Sequence, residues 1–172
     1  MDRACALTSC FRKFSSLFLK LVLVLFRLTS LKMSWDSYID NLIAQSMDTR
    51  GGLHVSKACI IGLDGGGKWT TDGHANAFKI TPQEGAEIAK VMKSKDFTNF
   101  QMSGVYCEGD RYLFLKEQDS KIVYARRRAV GTTTIQASKT GIVIALCPTD
   151  SLHGNCNKAV NVIVEYLESL GM

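Results

Sequence analysis

Residues 102–147 read MSGVYCEGDRYLFLKEQDSKIVYARRRAVGTTTIQASKTGIVIALC. Five strand-like segments, 102–107, 111–116, 121–127, 132–137 and 141–147, are separated by the turn signals EGD, EQDS, VG and SKTG. Parallel pairing needs a crossover of a dozen or more residues, so connections this short join antiparallel neighbours. The stretch therefore predicts a meander sheet.

The flanks supply helices. Ser34 is placed to cap a helix running to about Met47, with Trp35, Ile39, Leu42, Ile43 and Met47 at a 3.6-residue period and Tyr38 on its edge. Residues 57–63 read as a strand apolar enough to be buried on both faces, and the DGGGK turn leads to a return strand beginning Trp69-Thr70-Thr71. Thr81-Pro82-Gln83-Glu84 carries a cap, a proline at the first helical position and a glutamate three residues on, a helix start that runs to about Lys93. A last helix is expected from about Asn157 to Leu170, its inward stripe Val160, Ile163, Val164, Leu167 and Leu170, with Gly171 past its end. The fold class is α+β: a central antiparallel sheet covered by helices, the first and last on the same face.

Charge is uneven along the 172 residues. Of 21 basic and 16 acidic side chains, six and one fall in residues 1–32, so the remaining 140 carry fifteen of each. The body thus has no global basic field to draw nucleic acid. The six cysteines form no C-x-x-C pair, which argues against a zinc site or a disulfide framework and for a reducing compartment. Residues 1–32 are basic and apolar, but the uninterrupted apolar run, 21–26, lies between Lys20 and Arg27 and is far short of the roughly 20 residues a spanning helix needs. Two readings stand: an interfacial helix on anionic lipid, or an upstream extension, poorly ordered or left out when translation starts at Met33. The second is favoured, because the helix signal and the change of composition both begin there. The organisation expected is an extension, 1–32, and one domain, 33–172.

Four features are candidates for chemistry. Gly62 to Lys68 reads G-x-x-x-x-G-K, one residue short of a phosphate-binding loop, but Trp69 stands where a Mg²⁺-binding hydroxyl belongs and no helix follows. A tight turn explains the glycines better. Trp35, Tyr38, Trp69 and Tyr166 are either core aromatics or, if the terminal helices lie side by side, rings converging on one patch suited to a polyproline II ligand, which arrives already extended. Arg126-Arg127-Arg128, with Arg111 and Lys116 on neighbouring strands, is either a solvated sheet edge or a docking face for an acidic protein or a phosphorylated headgroup. His153, Gly154, Asn157 and Lys158 lie at the mouth of the last helix. His54, His74 and His153 are scattered, with no nucleophile or carboxylate evidently paired to them, so no catalytic constellation, metal site or cofactor is expected.

Taken in order, MSWDSYIDNLI, ACIIGLDGGGKWTT, GVYCEGDRYLFL, VYARRRAVG, ASKTGIVIAL and GNCNKAVNVIVEYLESLGM make residues 33–172 similar to profilins, particularly invertebrate members. The resemblance implies a central antiparallel sheet with the N- and C-terminal helices packed together on one face and shorter helices on the other. It implies a non-enzymatic protein that regulates actin polymerisation by linking monomeric actin to proline-rich nucleation and elongation factors, and that binds phosphoinositides. Proline-rich segments would dock at Trp35, Tyr38, Trp69, Tyr166 and Met172. Actin would meet Lys116, Arg126, Arg128, His153, Gly154, Asn157 and Lys158. Phosphoinositide binding would overlap at Arg126 and Arg128, with Arg127 and Arg111 beside them. The localisation implied is cytoplasmic and cytoskeletal, with peripheral membrane association if residues 1–32 meet lipid. The competing class is a membrane-tethered α+β trafficking or signalling adaptor without actin binding, its aromatics merely core.

Overall fold

The computed structural model describes residues 34–172; the expectations for residues 1–32 lie outside the described residues. In chain order the elements are α1 (Asp36–Gln45), β1 (Lys57–Gly62), α2 (Pro82–Ser94), α3 (Thr98–Ser103), β2 (Val105–Cys107), β3 (Asp110–Gln118), β4 (Ile122–Arg127), β5 (Gly131–Ala137), β6 (Gly141–Pro148) and α4 (His153–Ser169). The strands form one antiparallel sheet in the order β1-β6-β5-β4-β3-β2. The meander is thus as the short turns require, and β1 joins it at the β6 edge.

Both faces of the sheet centre are covered, which is why its strands read as apolar runs rather than as alternation. Along β1 and β6, Cys59, Ile61, Ile142 and Ile144 meet Ile88 and Met92 of α2 and Phe100 of α3. The intervening Ala58, Ile60, Val143 and Ala145 meet Ile39 and Leu42 of α1 and Val160, Ile163 and Leu167 of α4. The terminal helices therefore share one face, held by side chains whose full burial is worth about 1.5–3 kcal/mol each. Helix α2 opens with the expected capping box, Thr81 and Glu84 each bonding the other's backbone amide.

Several local expectations are corrected. Trp35, not Ser34, occupies the cap position of α1, and it caps without a side-chain bond. Met47 and Leu170 fall off their helices' buried stripes and are exposed. The strand expected over 102–107 begins only at Val105, because Met102 and Ser103 end helix α3: Asp96 accepts from the Thr98 amide and hydroxyl to start it, and Gly104, at φ +82°, stops it. Helix α4 begins at His153, so His153 and Gly154 belong to its first turn. No return strand forms after the glycine turn. Lys68 makes one bridge to Ile61, the Trp69 amide bonds the Ile60 carbonyl at 2.9 Å, and the chain then leaves the ladder.

The glycine turn is closed on itself. The Gly62 amide donates to Gly67, the Leu63 amide to Thr140 and the Gly66 amide to Gly62, so these donors are not free to cradle a phosphate. Gly66, at φ +70°, lies backbone to backbone on α2: a Cβ there would stand 2.1 Å from the Gly85 carbonyl. That contact accounts for two glycines at once, one in the turn and one inside a helix, where glycine otherwise costs about 1 kcal/mol.

Candidate functional site

Four rings form one row. Trp35 stacks on Tyr38 with centroids 5.2 Å apart, and on its other side leans against Trp69 at 4.6 Å. Tyr38 in turn meets Tyr166 of α4 at 6.1 Å. The row spans at most about 16 Å along its steps, the rise of about five residues of a polyproline II helix. The exposures differ: Tyr166 is 45% exposed, Trp35 and Trp69 are half-buried, and Tyr38 is only 8% exposed. Tyr38 lies on the edge of its helix's apolar stripe, and packing of α1 on α4 buries it as the floor between Trp35 and Tyr166. Burial, and then the neighbouring Tyr166 phenol, raise the Tyr38 hydroxyl above its ordinary value.

Met172 reaches the same cluster through the way α4 ends. The Met172 amide bonds Leu167 and the Gly171 amide bonds Glu168, the paired bonds of a Schellman motif, with Gly171 at φ +83°. The chain thereby folds back, and Met172, like Trp35 and Trp69, packs against the core between the terminal helices. Of the five residues expected at a proline-binding surface, the four rings are thus in one row, and Met172 packs against the same core cluster as Trp35 and Trp69.

The basic candidates lie toward the other end of α4. Lys116 and Tyr124 are partners in the β3–β4 ladder, with the Lys116 ammonium 5.1 Å from the Tyr124 ring centre. Tyr124 is paired with Thr134 of β5, whose hydroxyl donates to Asn157 Oδ1 at 2.7 Å. Directly opposed residues share a face, so this line connects Lys116 to the second turn of α4. Arg126 follows on the same face beside Leu113 and Thr132. Arg111, Leu113 and Arg126 to Arg128 line a groove of about 480 Å3. Arg126, Arg128, His153, Gly154 and Lys158 are exposed and Asn157 is half-buried. Arg127 differs, because it is ion-paired with Asp110. Arg111, which also lines the groove, donates through Nε to the Ser103 carbonyl at 2.6 Å.

His54 escaped the sequence reading because its partners are distant in sequence or inconspicuous. It is buried; its Nδ1 accepts from the Leu152 amide at 3.0 Å and its Nε2 donates to Asp48 Oδ2 at 2.9 Å. It therefore fixes the residue that precedes His153 and Gly154. The Asp48 carboxyl is held below its ordinary value, first by the Gly52 amide, then by His54 and by the Arg50 amide. A carboxyl lowered in the folded state stabilises fully above the unfolded value of about 4, and that stabilisation is lost as the pH falls through the lowered value. Urea unfolding between about pH 6 and pH 2 should therefore show Asp48→Asn losing part of the parent's acid sensitivity. Equal pH slopes in the two chains would contradict the linkage.

The described residues thus form an α+β binding domain with two separate faces: an aromatic row where the terminal helices meet, and a basic face where the last helix begins. A profilin family model matches residues 33–172. The chain is 61% identical over 140 residues to the profilin of Clypeaster japonicus and 59% over 140 residues to that of Suberites domuncula. Each match covers 81% of this chain and 100% of the relative. Among solved structures, Acanthamoeba castellanii profilin II is similar with a TM-score of 0.67 at 26% identity, over 81% of this chain and 100% of that one. Mouse profilin IIa, solved in complex with a double repeat from the FH1 domain of mDia1, shares the fold with a TM-score of 0.58 at 21% identity, over 80% and 99% of the two chains. The chain belongs to the profilin family, whose members are non-enzymatic actin-binding proteins.

Proposed function

We propose that this profilin-family protein divides its two tasks between the two ends of α4. Proline-rich segments dock on Trp35, Tyr38, Trp69, Tyr166 and Met172. Monomeric actin docks on Lys116, Arg126, Arg128, His153, Gly154, Asn157 and Lys158. The observation that carries this reading is that α4 contributes to both sets: His153 and Tyr166, both on α4, are separated by about 20 Å at 1.5 Å per residue. Two ligands so spaced can be held together, and holding an actin monomer beside a tethered proline-rich factor raises its effective concentration at a filament end. The chain performs no chemistry in this scheme; any effect on actin's conformation comes from differential binding to its states.

Phosphoinositide headgroups share the basic face, with Arg126 and Arg128 as the main carriers and Arg111 at the groove wall. Arg127 contributes less, since its charge is already met by Asp110. Actin and lipid therefore compete, and peripheral membrane association goes through this groove. No helix among the described residues is long and apolar enough to cross a membrane. The family's place is the cytoplasm, with the actin cytoskeleton. The adaptor reading, in which the rings are only core, is not favoured by a row that ends in an exposed tyrosine. Retention of the full chain on immobilised polyproline, together with co-elution with actin monomer on gel filtration, tests the assignment. A chain that passes through the first column unretained and elutes apart from actin on the second refutes it.

A further inference from the structure

Gly62 and Gly141 are direct partners across the β1–β6 ladder, and the Trp69 indole lies on both. A Cβ on Gly62 would stand 3.2 Å from the indole Nε1, and a Cβ on Gly141 would stand 2.9 Å from Cη2 and Cζ3. Neither glycine has a φ in the left-handed region, so the backbone does not demand glycine at either place; the ring does. Glycine inside a strand otherwise weakens it and marks a close approach by another group. Here the approaching group is a side chain assigned above to ligand binding.

The neighbouring indole is tied down separately. Trp35 stands at the start of α1 without a side-chain cap bond, a position where helices fray. The residue after it, Asp36, accepts from the Thr71 amide at 2.7 Å and from the Thr71 hydroxyl at 2.7 Å. One helical turn on, Asp40 meets His74 Nε2 at 3.0 Å. Two carboxylates on one side of α1 thus lace the helix to the loop that carries Trp69, and the first of them sits between the two tryptophans in the chain of contacts.

We propose that Gly141 and Asp36 are positioning residues for recognition of proline-rich segments: Gly141, with Gly62, is the flat seat that sets the tilt of Trp69, and Asp36 locks Trp35 against it. The inference rests on the reading of the ring row as the peptide-binding surface. A polyproline II ligand is a rigid helix with three residues per turn. It does not adapt to a displaced indole, so the slot must be set beforehand, and prior ordering is what limits the entropic cost of docking.

The full chain and its Gly141→Ala, Asp36→Ala and Asp36→Asn variants separate the possibilities by two readouts. Two indoles at 4.6 Å with planes 43° apart couple their electronic transitions, so circular dichroism of the pair reports their mutual geometry without any ligand. Calorimetry with a proline decamer reports the consequence. Gly141→Ala and Asp36→Ala should alter the tryptophan couplet and weaken the decamer on the order of tenfold, with actin-monomer affinity unchanged. Asp36→Asn keeps an acceptor for the Thr71 amide and offers a donor to its hydroxyl, so it should restore both signals. An unaltered couplet in Gly141→Ala, or an altered couplet with full decamer affinity, overturns the proposal. If the parent chain itself does not bind the decamer, the peptide reading fails first, and the couplet then judges the seat by itself. Should Gly141→Ala fail to fold, Gly62→Ala, with its less severe approach, and the Asp36 pair carry the same test.

Discussion

Replacing Trp69 with alanine should weaken binding of a proline decamer by roughly a hundredfold, the equivalent of about 3 kcal/mol, and leave actin-monomer affinity unchanged. Trp69 ends the ring row, and Trp35 rests on it at 4.6 Å. The truncation therefore removes one ligand-facing wall and the support of a second. Its indole is only half-buried, so the fold survives the loss. Isothermal calorimetry on the folded variant, with urea unfolding as the control, measures both effects. A variant that binds the decamer as the parent does would show that the rings are core and not a platform.

Reversing charge at Arg126 and Arg128 together, Arg126→Glu with Arg128→Glu, should lower actin-monomer affinity by about a hundredfold. It should abolish binding to vesicles containing phosphoinositides and leave the proline decamer untouched. Both side chains are exposed, so little stability depends on them. Arg127 is the internal control. Its guanidinium is joined to Asp110 across neighbouring strands, so Arg127→Ala should act through a small loss of stability more than through affinity. Sedimentation of the complexes at two salt concentrations checks this, because contacts made by exposed charges are screened as salt rises. Equal loss of actin binding in the Arg127 variant would move the actin face to the other side of the strand.

What could be read in the amino acids was what is determined locally. The Thr81–Glu84 cap, the hairpin turns and the helical stripes are consequences of residues within a few positions of one another, and the structure reproduces them except for Met47 and Leu170 at the stripe ends. Helix α3 was missed because six residues are too few to show a period; its burial rests on Phe100 alone. The return strand after Lys68 was wrong for a non-local reason: the Trp69 ring lies on the β1–β6 glycine pair, a partnership formed across about 80 residues and carrying no local signal. The same holds for Tyr38, whose place on the edge of its helix left core and surface both open until α4 covered it, and for His54, whose bond to Leu152 spans a distance no motif announces. The residues left core and patch both open for the rings; the resemblance to profilins chose between them, and the ring contacts give the aromatic set a shared geometry.

The most direct measurement is the affinity of the full chain for a proline decamer with and without saturating actin monomer, read alongside the mass of the complex by sedimentation velocity. Two faces at opposite ends of α4 predict an unchanged affinity and a complex containing all three components. Displacement of the decamer by actin, with only binary complexes present, would contradict the assignment of separate faces.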